Sequence, residues 1–546
     1  MGMDEKEFNL IDEPWIKVRT PTLAVETVSL QEALLRAHTY VDLAGELPTQ
    51  DMAVLRLLLA VLHTVFSRVD CGGNPAPIQK PGQALLRWKE LWENGMFPEK
   101  PICDYLEQWH ERFWLFHPER PFYQVRTAEN GTVYSAAKLN GEISESTNKV
   151  RLFPTRAGEQ KGTLTFAESA RWLLYVNGFD DTSSKPKAKG LPSVGAGWLG
   201  KIGLISAVGD NLFETLLLNL VLLKGKNEIW GVSKPTWELD VPRQSERTII
   251  PLPDNQAELL TLQSRRIMLK KTGNAVEGYS LLGGDVFPPA DAFTEQMTLW
   301  YPYEEHQRTG FRPQRHRAEK YIWQEFSPLL YLNEKGRRPG VITWIDTVKK
   351  ARCLDSRRWI SFRSASVQYG DKDFFASDVV GDQITFHMNL ITEAETIWQR
   401  LIEREIGRID DLASAVGGLA GNLEKAAGHV ERDGKGDIVH STKMDCAKTA
   451  REQYYHKIDV PFREWLRKLD PSQTDVERDR LRDEWIATAK QIALGMGKEL
   501  VKDAGDIAML GRFIEDKKGS NGKKHYSAPE ASIEFKHNVN RICKEG

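Results

Sequence analysis

The chain has 546 residues, of which 41% are apolar and 27% are charged, and its formal net charge is −2. This composition excludes a largely disordered or collagen-like protein, and the length predicts roughly two to four domains. Because 74 Lys and Arg are balanced by 76 Asp and Glu, nucleic-acid binding would have to use a local basic surface.

The first part of the chain predicts short strands followed by helices. Residues 8–30 are expected to form two short strands around a turn, and a helix is expected over 30–37. Thr49 or Asp51 is expected to cap the strongly apolar helix that follows. Aromatic residues between 88 and 114 recur at helical spacing, which favours a hydrophobic core over a ligand site.

Two segments rich in glycine, proline and basic residues follow. The first, 148–163, contains Arg151, Arg156 and Lys161. In the second, lysines lead into glycines: Lys185, Lys187, Lys189, Gly190, Gly195, Gly197 and Gly200. Glycine lets a backbone approach a ligand closely and lysine can reach a phosphate, but this composition is more often that of a plain mobile loop. The residues alone leave both interpretations open.

The middle of the chain predicts strands and concentrated positive charge. A helix is expected over 166–176, and the pattern of RRIMLKKTGNAVEGYSLL predicts a β-hairpin that turns near 272–274. The segment VQYGDKDFFASD predicts a turn or a short helix boundary. Residues 308–363 hold 14 basic and 5 acidic side chains. That segment could neutralise phosphates or could simply be a solvated basic surface.

Long amphipathic helices dominate beyond residue 390. Apolar residues step by three or four between 402 and 423 and again between 485 and 500. The pattern predicts an α+β protein, with a domain of mixed helices and strands over 1–390 and an antiparallel helix bundle over 391–546.

The chain carries no convincing enzyme motif. It lacks a phosphate-binding glycine loop, a G-x-S-x-G and an H-E-x-x-H, and its five cysteines form no C-x-x-C pair. We therefore expect no catalytic activity, no metal and no cofactor. One alternative is a metal-dependent nuclease that uses His440 with Asp445, or His306 with His316. A further alternative is a structural scaffold whose basic segment grips RNA.

The sequence also predicts where the protein works. The start, MGMDEKEFNLIDEPW, is acidic and has no apolar core of the secretory type. The most apolar stretch, 54–66, contains Arg56 and His63 and is too short to span a bilayer. We expect a cytoplasmic protein with no membrane segment.

Six segments stand out in order along the chain: FNLIDEPWIKV, LPTQDMAVLRLLLAVLHTVF, HPERPFYQV, GWLGKIGLISAVGDNLFETLLLNLVLL, LTLQSRRIML and VQYG. Together they resemble the CasA family, the large subunit of the type I-E CRISPR surveillance complex called Cascade. The resemblance covers essentially the whole chain. It implies a large mixed α/β N-terminal domain of unusual topology followed by a four-helix bundle.

The same resemblance implies a non-catalytic role in antiviral defence. The family recognises the protospacer-adjacent motif in double-stranded DNA, promotes strand separation and R-loop formation, and helps recruit a helicase-nuclease. The implied partners are the other Cascade subunits, the CRISPR guide RNA, the target duplex and that helicase-nuclease, while base pairing with the guide reads the rest of the target. Some relatives hold zinc through two cysteine pairs, which this chain lacks.

The resemblance also implies functional residues. A loop at 148–163 would contact the guide and the complex through Arg151, Phe153, Arg156 and Lys161. DNA would be contacted by a glycine segment at 189–197 with its lysines, by a hairpin lysine and by a wedge after a Tyr-Gly turn. The candidate positions are Lys187, Lys189, Gly190, Gly195, Gly197, Lys372 and Asp373. The strand that matches the family's hairpin lysine, GYSLLGGD, has no lysine, so Lys270 or Lys271 on the first strand would substitute for it. The turn places Lys372 and Asp373 where the family has an amide, so Lys372 or a neighbour would act as the wedge.

Overall fold

The structure is a computed structural model that describes residues 6–139, 162–181, 195–225, 227–305, 308–330, 337–355, 357–373, 375–392, 396–434, 437–515 and 523–544. The chain divides into two compact units, Met1–Ile384 and Thr385–Gly546. The first unit combines helices with small sheets, and the second is mainly helical. The mixed content confirms the predicted α+β class.

The helices of the first unit are α1 Leu30–Leu35, α2 Pro48–Arg68, α3 Pro81–Asn94, α4 Glu99–Gln108, α5 Ala136–Leu139, α6 Phe166–Phe179, α7 Trp198–Lys201, α8 Leu212–Asn219, α9 Gln256–Leu260, α10 Phe326–Leu330 and α11 Gly340–Lys350. Its strands are β1 Glu7–Asn9, β2 Ile16–Arg19, β3 Val25–Val28, β4 Asp42–Leu43, β5 Trp114–Phe116, β6 Thr132–Ser135, β7 Leu204–Val208, β8 Leu223–Lys224, β9 Glu228–Ile229, β10 Arg265–Thr272, β11 Ala275–Gly283, β12 Trp300–Glu305, β13 Arg308–Pro313, β14 Trp359–Tyr369 and β15 Ala376–His387.

Helix α2 lies at the centre of the first unit, where it contacts α4, α6, α8 and α9. It is the one described helix long and apolar enough to cross a membrane, but 94% of its most apolar window is buried inside the unit. Burial of the apolar face against other helices explains its composition without a bilayer. Helix α2 is therefore a core helix.

The predicted start of α2 was wrong. The helix begins at Pro48 after the N-cap Leu47, so Thr49 and Asp51 lie inside it. Proline suits the first helical position because its fixed φ is already helical and no intrahelical partner is lost. The Asp51 carboxylate instead accepts a hydrogen bond from the Gly45 backbone N–H at 2.7 Å. Burial raises the pKa of that carboxyl to about 7.

The sheets are small, and three of them, β1-β5, β10-β11-β6 and β15-β14-β7, join strands from distant parts of the sequence. The three-stranded sheets have the orders β3-β2-β4, β10-β11-β6 and β15-β14-β7. Strands β10 and β11 form the predicted hairpin, which turns at Gly273 and Asn274. The expected turn lies between the long strands β14 and β15, and we call its described residues, 370–373 and 375, the β14–β15 tip.

The second unit consists of α12 Ile397–Ala427, α13 Asp445–Lys468, α14 Asp475–Asp503, α15 Gly505–Leu510 and α16 Ala528–Lys544, with the ribbon β16 Arg512–Glu515 and β17 Lys523–Tyr526. Helix α12 contacts α13, α14 and α16. Its buried side follows the predicted apolar spacing, and the indoles of Trp465 and Trp485 stack in the core at 5.3 Å. Burial of these faces is what holds the helices together.

Candidate functional site

The structure describes some of the predicted site residues and not others. Gly195, Gly197, Lys270, Lys271, Lys372 and Asp373 are described. The positions outside the described residues are Arg151, Phe153, Arg156, Lys161, Lys187, Lys189 and Gly190. The site is therefore built from the end of the glycine segment, the β10–β11 hairpin and the β14–β15 tip.

Arg315 joins α7, the helix that directly follows the glycine segment, to the β14–β15 tip. Its two terminal nitrogens donate to the two carboxylate oxygens of Asp373 at 2.6 and 2.8 Å. Its Nε donates to the backbone oxygen of Gly200, and the guanidinium lies 4.5 Å from the centre of the Tyr369 ring. A planar guanidinium can make all of these contacts at once, which an ammonium cannot. Two segments that are far apart in sequence thus meet at one arginine.

The tip holds two consecutive residues in the left-handed backbone region. Lys372 has φ 54° and Asp373 has φ 59°, and the turn is closed by a 3.0 Å hydrogen bond from the Asp373 N–H to the Gly370 oxygen. Such conformations cost roughly 1–3 kcal/mol each outside glycine and persist only where surrounding contacts fix them. The paired carboxylate of Asp373 supplies that contact. The side chain of Lys372 is exposed.

The pairing gives Asp373 a structural role, and its predicted contact with DNA stays a prediction. As a free carboxylate it would repel a phosphate-lined duplex, and the sequence placed it at the wedge. In the structure Arg315 neutralises it, so it fixes the backbone of the tip. Of the two predicted tip residues, only Lys372 presents an exposed side chain that can reach a ligand.

The glycine segment needs glycine for two different reasons. Gly195 has φ +63°, which residues with a side chain rarely adopt. Gly197 packs so closely on α6 that a Cβ there would lie 2.3 Å from the backbone oxygen of Gly178. Its N–H donates to the Asp180 oxygen at 2.9 Å. The segment is therefore tied to the end of α6 by its backbone.

Gly197→Ala is expected to lower the free energy of unfolding by about 1–3 kcal/mol, because the added methyl group must displace backbone. The thermal unfolding midpoint of the chain would show the loss. Gly82→Ala is the matched control, since a Cβ at Gly82 meets no atom within 4 Å. Equal midpoints for the two variants would contradict the close packing described for Gly197.

Arg265 holds the residues on both sides of 182–194. It pairs with the Asp180 carboxylate, and its Nη2 donates to the backbone oxygens of Asp181 at 3.1 Å and Gly195 at 2.7 Å. Its side chain is 1% exposed. Buried arginines of this kind usually satisfy several acceptors at once. Arg265 thereby fixes the spacing between Asp181 and Gly195.

Trp198 directly follows the glycine segment and anchors the same end of it. Its indole N–H donates to Glu295 at 2.9 Å, and Glu295 forms a two-bond pair with Arg56 of α2, also at 2.9 Å. Both charged side chains are buried, with exposures of 2% and 1%. The core helix α2 therefore positions the glycine segment through a charged pair.

The two hairpin lysines have different surroundings. Lys271 forms an ion pair with Glu7, and its ammonium lies 5.1 Å from the centre of the Phe116 ring. These contacts connect β10 to β1 and β5, so Lys271 has a structural role. Lys270 is exposed. Of the two predicted alternatives, Lys270 is the one whose side chain a ligand can reach.

The positive charge of 308–363 is largely neutralised in the fold. Its ion pairs include Arg312 with Glu305, Arg315 with Asp373, Lys320 with Glu325, Arg338 with Asp346, Arg358 with Glu214 and Arg363 with Asp42. Arg317 and Arg352 are exposed and have no ion pair with any described residue. Charge counting along the sequence thus overstates the positive field of this segment, because several carboxylates come from elsewhere.

The histidines of the nuclease alternative have ordinary contacts. The His440 ring lies 2.9 Å from the Thr442 hydroxyl, at the turn before α13. His316 donates to the Leu204 backbone oxygen at 2.9 Å, and burial lowers its pKa. His306 lies outside the described residues. Within the described parts of the chain, no group of three or more His, Cys, Asp or Glu could hold a metal ion.

Sequence reasoning missed Arg265 and Arg315, which connect the predicted segments, and it missed Lys201. Lys201 ends α7, and its side chain runs beside Gly195: a Cβ built there would lie 3.4 Å from the lysine Cε. An arginine at the start of an apolar strand, as in RRIML, is a signal for a buried arginine that needs acceptors. Nothing in the sequence pairs Arg315 with Asp373, because 58 residues separate them.

Known proteins resemble the chain over nearly its whole length. Residues 9–496 match the family CRISPR-associated protein Cse1. CasA/Cse1 of Thermus thermophilus is 28% identical over 516 residues, which cover 91% of this chain and 95% of that protein. The crystal structure of Thermobifida fusca Cse1 has a TM-score of 0.80 at 26% identity and covers 100% of this chain and 99% of its own. A chain of a CRISPR RNA-guided surveillance complex shares the fold, with a TM-score of 0.61 at 18% identity over 98% of this chain and 100% of its own. As the six sequence segments predicted, the chain belongs to the CRISPR-associated Cse1 family, also named CasA.

Proposed function

We propose that this protein is the large, non-catalytic subunit of a type I-E CRISPR RNA-guided surveillance complex, in which it recognises the protospacer-adjacent motif of double-stranded DNA. Membership of the Cse1 family supports this role. The observation that carries it is the contact of Arg315 with both Gly200 and Asp373. This contact ties α7, which directly follows the glycine segment, to the tip that carries Lys372.

The geometry suits reading a duplex from its groove. Gly195 is half-buried and has no side chain, so its backbone can approach a base edge or a sugar closely, whereas the buried Gly197 holds the segment against α6. The adjoining tip projects the exposed Lys372 from a backbone that Asp373 and Arg315 hold rigid. A rigid projection is what a wedge requires, because unstacking a base step costs a few kcal/mol. In this proposal Lys372 enters the duplex beside the motif and promotes R-loop formation.

The remaining parts of the proposal follow from the family. The mixed N-terminal domain contacts DNA, and the C-terminal helices form an antiparallel four-helix bundle. The loop at 148–163 contacts the guide RNA and the other Cascade subunits. The protein acts in the cytoplasm without a cofactor and helps recruit the helicase-nuclease to the opened target. No step in this role requires the chain itself to break a bond.

The motif-reading role is tested with a target library randomised beside the protospacer. Guide complex reconstituted with and without this chain is incubated with the library, and bound duplexes are sequenced. Enrichment of a short motif only when the chain is present would support the proposal. Tighter binding with no sequence preference would instead favour a scaffold that grips nucleic acid through phosphates.

Lys372→Ala is expected to weaken target binding by the complex and to reduce the slope of log K against log salt by about one, if the ammonium neutralises one phosphate. Binding is measured at several salt concentrations on the enriched motif. Lys100→Ala is the control, because Lys100 is exposed on α4 and paired only with Asp104. An unchanged salt slope for Lys372→Ala would remove Lys372 from the DNA interface.

A further inference from the structure

One cavity of the first unit lies among residues to which the proposed function gives no role. Its volume is about 40 Å³, and its lining residues fall between 112 and 124, between 236 and 243, and at 263 and 285. One water molecule needs roughly 10–15 Å³, so the cavity has room for a few waters or for one oxyanion group. Residues 120–124 of its wall belong to the segment HPERPFYQV. The cavity is therefore a candidate ligand site formed by none of the predicted DNA-contacting residues.

Two arginines distinguish the wall of this cavity. Arg112 and Arg120 both line it and both are half-buried. Neither guanidinium forms a hydrogen bond or an ion pair with any residue that the structure describes. A guanidinium is a planar fork of several N–H donors, and in partly buried positions those donors normally meet carboxylate, phosphate or carbonyl oxygens. The cavity thus has two sets of donors and no acceptor from the described chain.

The one carboxylate in the wall is already bound by other arginines. Asp285 accepts a 3.1 Å hydrogen bond from Arg243 on one oxygen and pairs with the buried Arg266 through the other. Arg243, which also lines the cavity, makes its second pair with Glu258 at 2.9 Å. Both carboxylates are engaged by these two arginines. They therefore supply no counter-ion to the unpaired pair of arginines across the cavity.

The two unpaired arginines repel each other. Burial, and after it the charge of Arg120, lower the pKa of Arg112, and the exposed Asp240 opposes them only in part. Arginine stays protonated at neutral pH in spite of such a shift, so both positive charges remain. Like charges held beside one cavity disfavour the protein without a ligand, and an anion between them would remove the repulsion.

A buried amide indicates a ligand independently of charge. The side chain of Gln263 lines the same cavity with 8% of its surface exposed, and its amide makes no hydrogen bond to a described residue. The neighbouring Gln124 is different, because its amide donates to the Leu115 oxygen at 2.6 Å and accepts from the Leu269 N–H at 2.9 Å. Leaving a buried amide unpaired is costly. The amide of Gln263 therefore needs a partner inside the cavity.

The shape and chemistry of the cavity favour a phosphate group. The rest of the wall is largely apolar and includes Phe122 and Trp237, both of which are buried. Tyr123, also in the wall, has φ 57°, and side chains held in this backbone region often lie at ligand sites. The volume admits a phosphate but not a nucleoside. A phosphate offers more acceptor oxygens than a carboxylate, so it satisfies more of the two guanidiniums and the amide.

We propose that Arg112, Arg120 and Gln263 bind a phosphate group in this cavity. The site is separate from the proposed reading of DNA and does not depend on it. The phosphate comes from inorganic phosphate, from a nucleotide or from a nucleic-acid backbone, and the chemistry of recognition is the same in all three. The two arginines supply the charge, and the buried amide fixes the orientation of the group.

The experiment titrates inorganic phosphate into the purified full chain by calorimetry, with chloride used to hold the ionic strength constant. One saturable site per chain is expected. Arg112→Gln and Arg120→Gln are each expected to weaken phosphate binding roughly tenfold or more, and Gln263→Leu roughly fivefold. Arg357→Gln is the control, because Arg357 is 86% exposed and paired with Asp355, and it is expected to keep the wild-type affinity.

Several outcomes would overturn the inference. They are the absence of a saturable site, wild-type affinity in both arginine variants, and displacement of phosphate by acetate at equal concentration. Thermal unfolding shows whether the variants fold, and Arg112→Gln is not expected to lower the midpoint because it removes a repulsion. If Arg112→Gln does not fold, Arg112→Lys replaces it, since lysine keeps the charge but loses the donor fork, and weaker binding is again expected.

Competition identifies the source of the phosphate. Thymidylate and an oligothymidylate without terminal phosphates are each added to the chain in the presence of inorganic phosphate. Displacement by thymidylate alone assigns the site to a free or terminal phosphate, and displacement by both assigns it to a nucleic-acid backbone. Displacement by neither assigns it to inorganic phosphate itself.

Discussion

Arg265→Met is expected to lower the free energy of unfolding of the chain by about 3–5 kcal/mol, because it leaves the buried Asp180 carboxylate without its arginine. The substitution also removes donors from the backbone oxygens of Asp181 and Gly195. Each buried acceptor that loses its donor adds roughly 1–3 kcal/mol of desolvation cost, part of which is included in that range. The denaturant midpoint of the purified chain measures the loss.

A second substitution separates charge from packing at this position. Adding Asp180→Asn to Arg265→Met removes the uncompensated charge, so part of the lost stability is expected to return. Arg357→Met is the control, because Arg357 is 86% exposed and its pair with Asp355 contributes little. A loss below about 1 kcal/mol for Arg265→Met would show that the ion pair does not hold this part of the fold.

Arg265→Met is also expected to abolish motif preference at temperatures where the chain is still folded. Arg265 bonds to Asp181 and Gly195, which flank the stretch that carries Lys187, Lys189 and Gly190. Without those bonds the spacing of the glycine segment is no longer fixed, and a misplaced contact contributes little binding. Sequencing of the duplexes bound from the randomised target library measures this loss.

Arg56→Met is expected to have a stability effect of similar size, about 3–5 kcal/mol, since it isolates Glu295 in the core. Arg56→Lys keeps the charge but cannot make the two parallel bonds, so an intermediate loss is expected. Arg36→Met is the matched control, because its pair with Glu32 lies on the surface. Equal midpoints for Arg56→Met and Arg36→Met would contradict this account.

The Arg56 variants also test how the glycine segment is positioned. Glu295 accepts from the Trp198 indole, so a displaced Glu295 moves the residue that follows Gly197. Tryptophan fluorescence is expected to shift in Arg56→Met but not in Arg36→Met. A shift without loss of motif binding would mean that the position of Trp198 does not matter for DNA.

Local sequence patterns predicted the helices and strands around the candidate site. The contacts within the site join residues that are distant in sequence, and local patterns do not predict them. The apolar spacing around 402–423 and the Gly273-Asn274 turn each act within a few residues, so a single sequence shows them. The contact between Arg315 and Asp373 depends on tertiary structure, and either residue alone resembles an ordinary surface charge. Only the fold shows that they meet.

Charge is the clearest example of this limit. Counting along 308–363 gave an excess of basic residues, yet Asp42 and Glu214 neutralise Arg363 and Arg358 from distant parts of the chain. Lys201 is the reverse case, because it is a single lysine in an apolar stretch and forms no ion pair with any described residue. Counting residues gives the number of charges along the chain. Binding of a charged ligand depends on which of those charges the fold leaves without a neutralising neighbour.

The scattered origin of the strands has a consequence for how the chain folds during synthesis. Strand β7 pairs with β14, about 150 residues later, so the sheet that carries the tip cannot close until residue 369 has left the ribosome. At ordinary translation rates that wait lasts roughly 8–30 s. During that time the apolar helix α2 has been synthesised, but its contacts with β14 have not yet formed. Nascent chains of this protein are therefore natural clients for chaperones, and fragments that end before β14 are expected to aggregate.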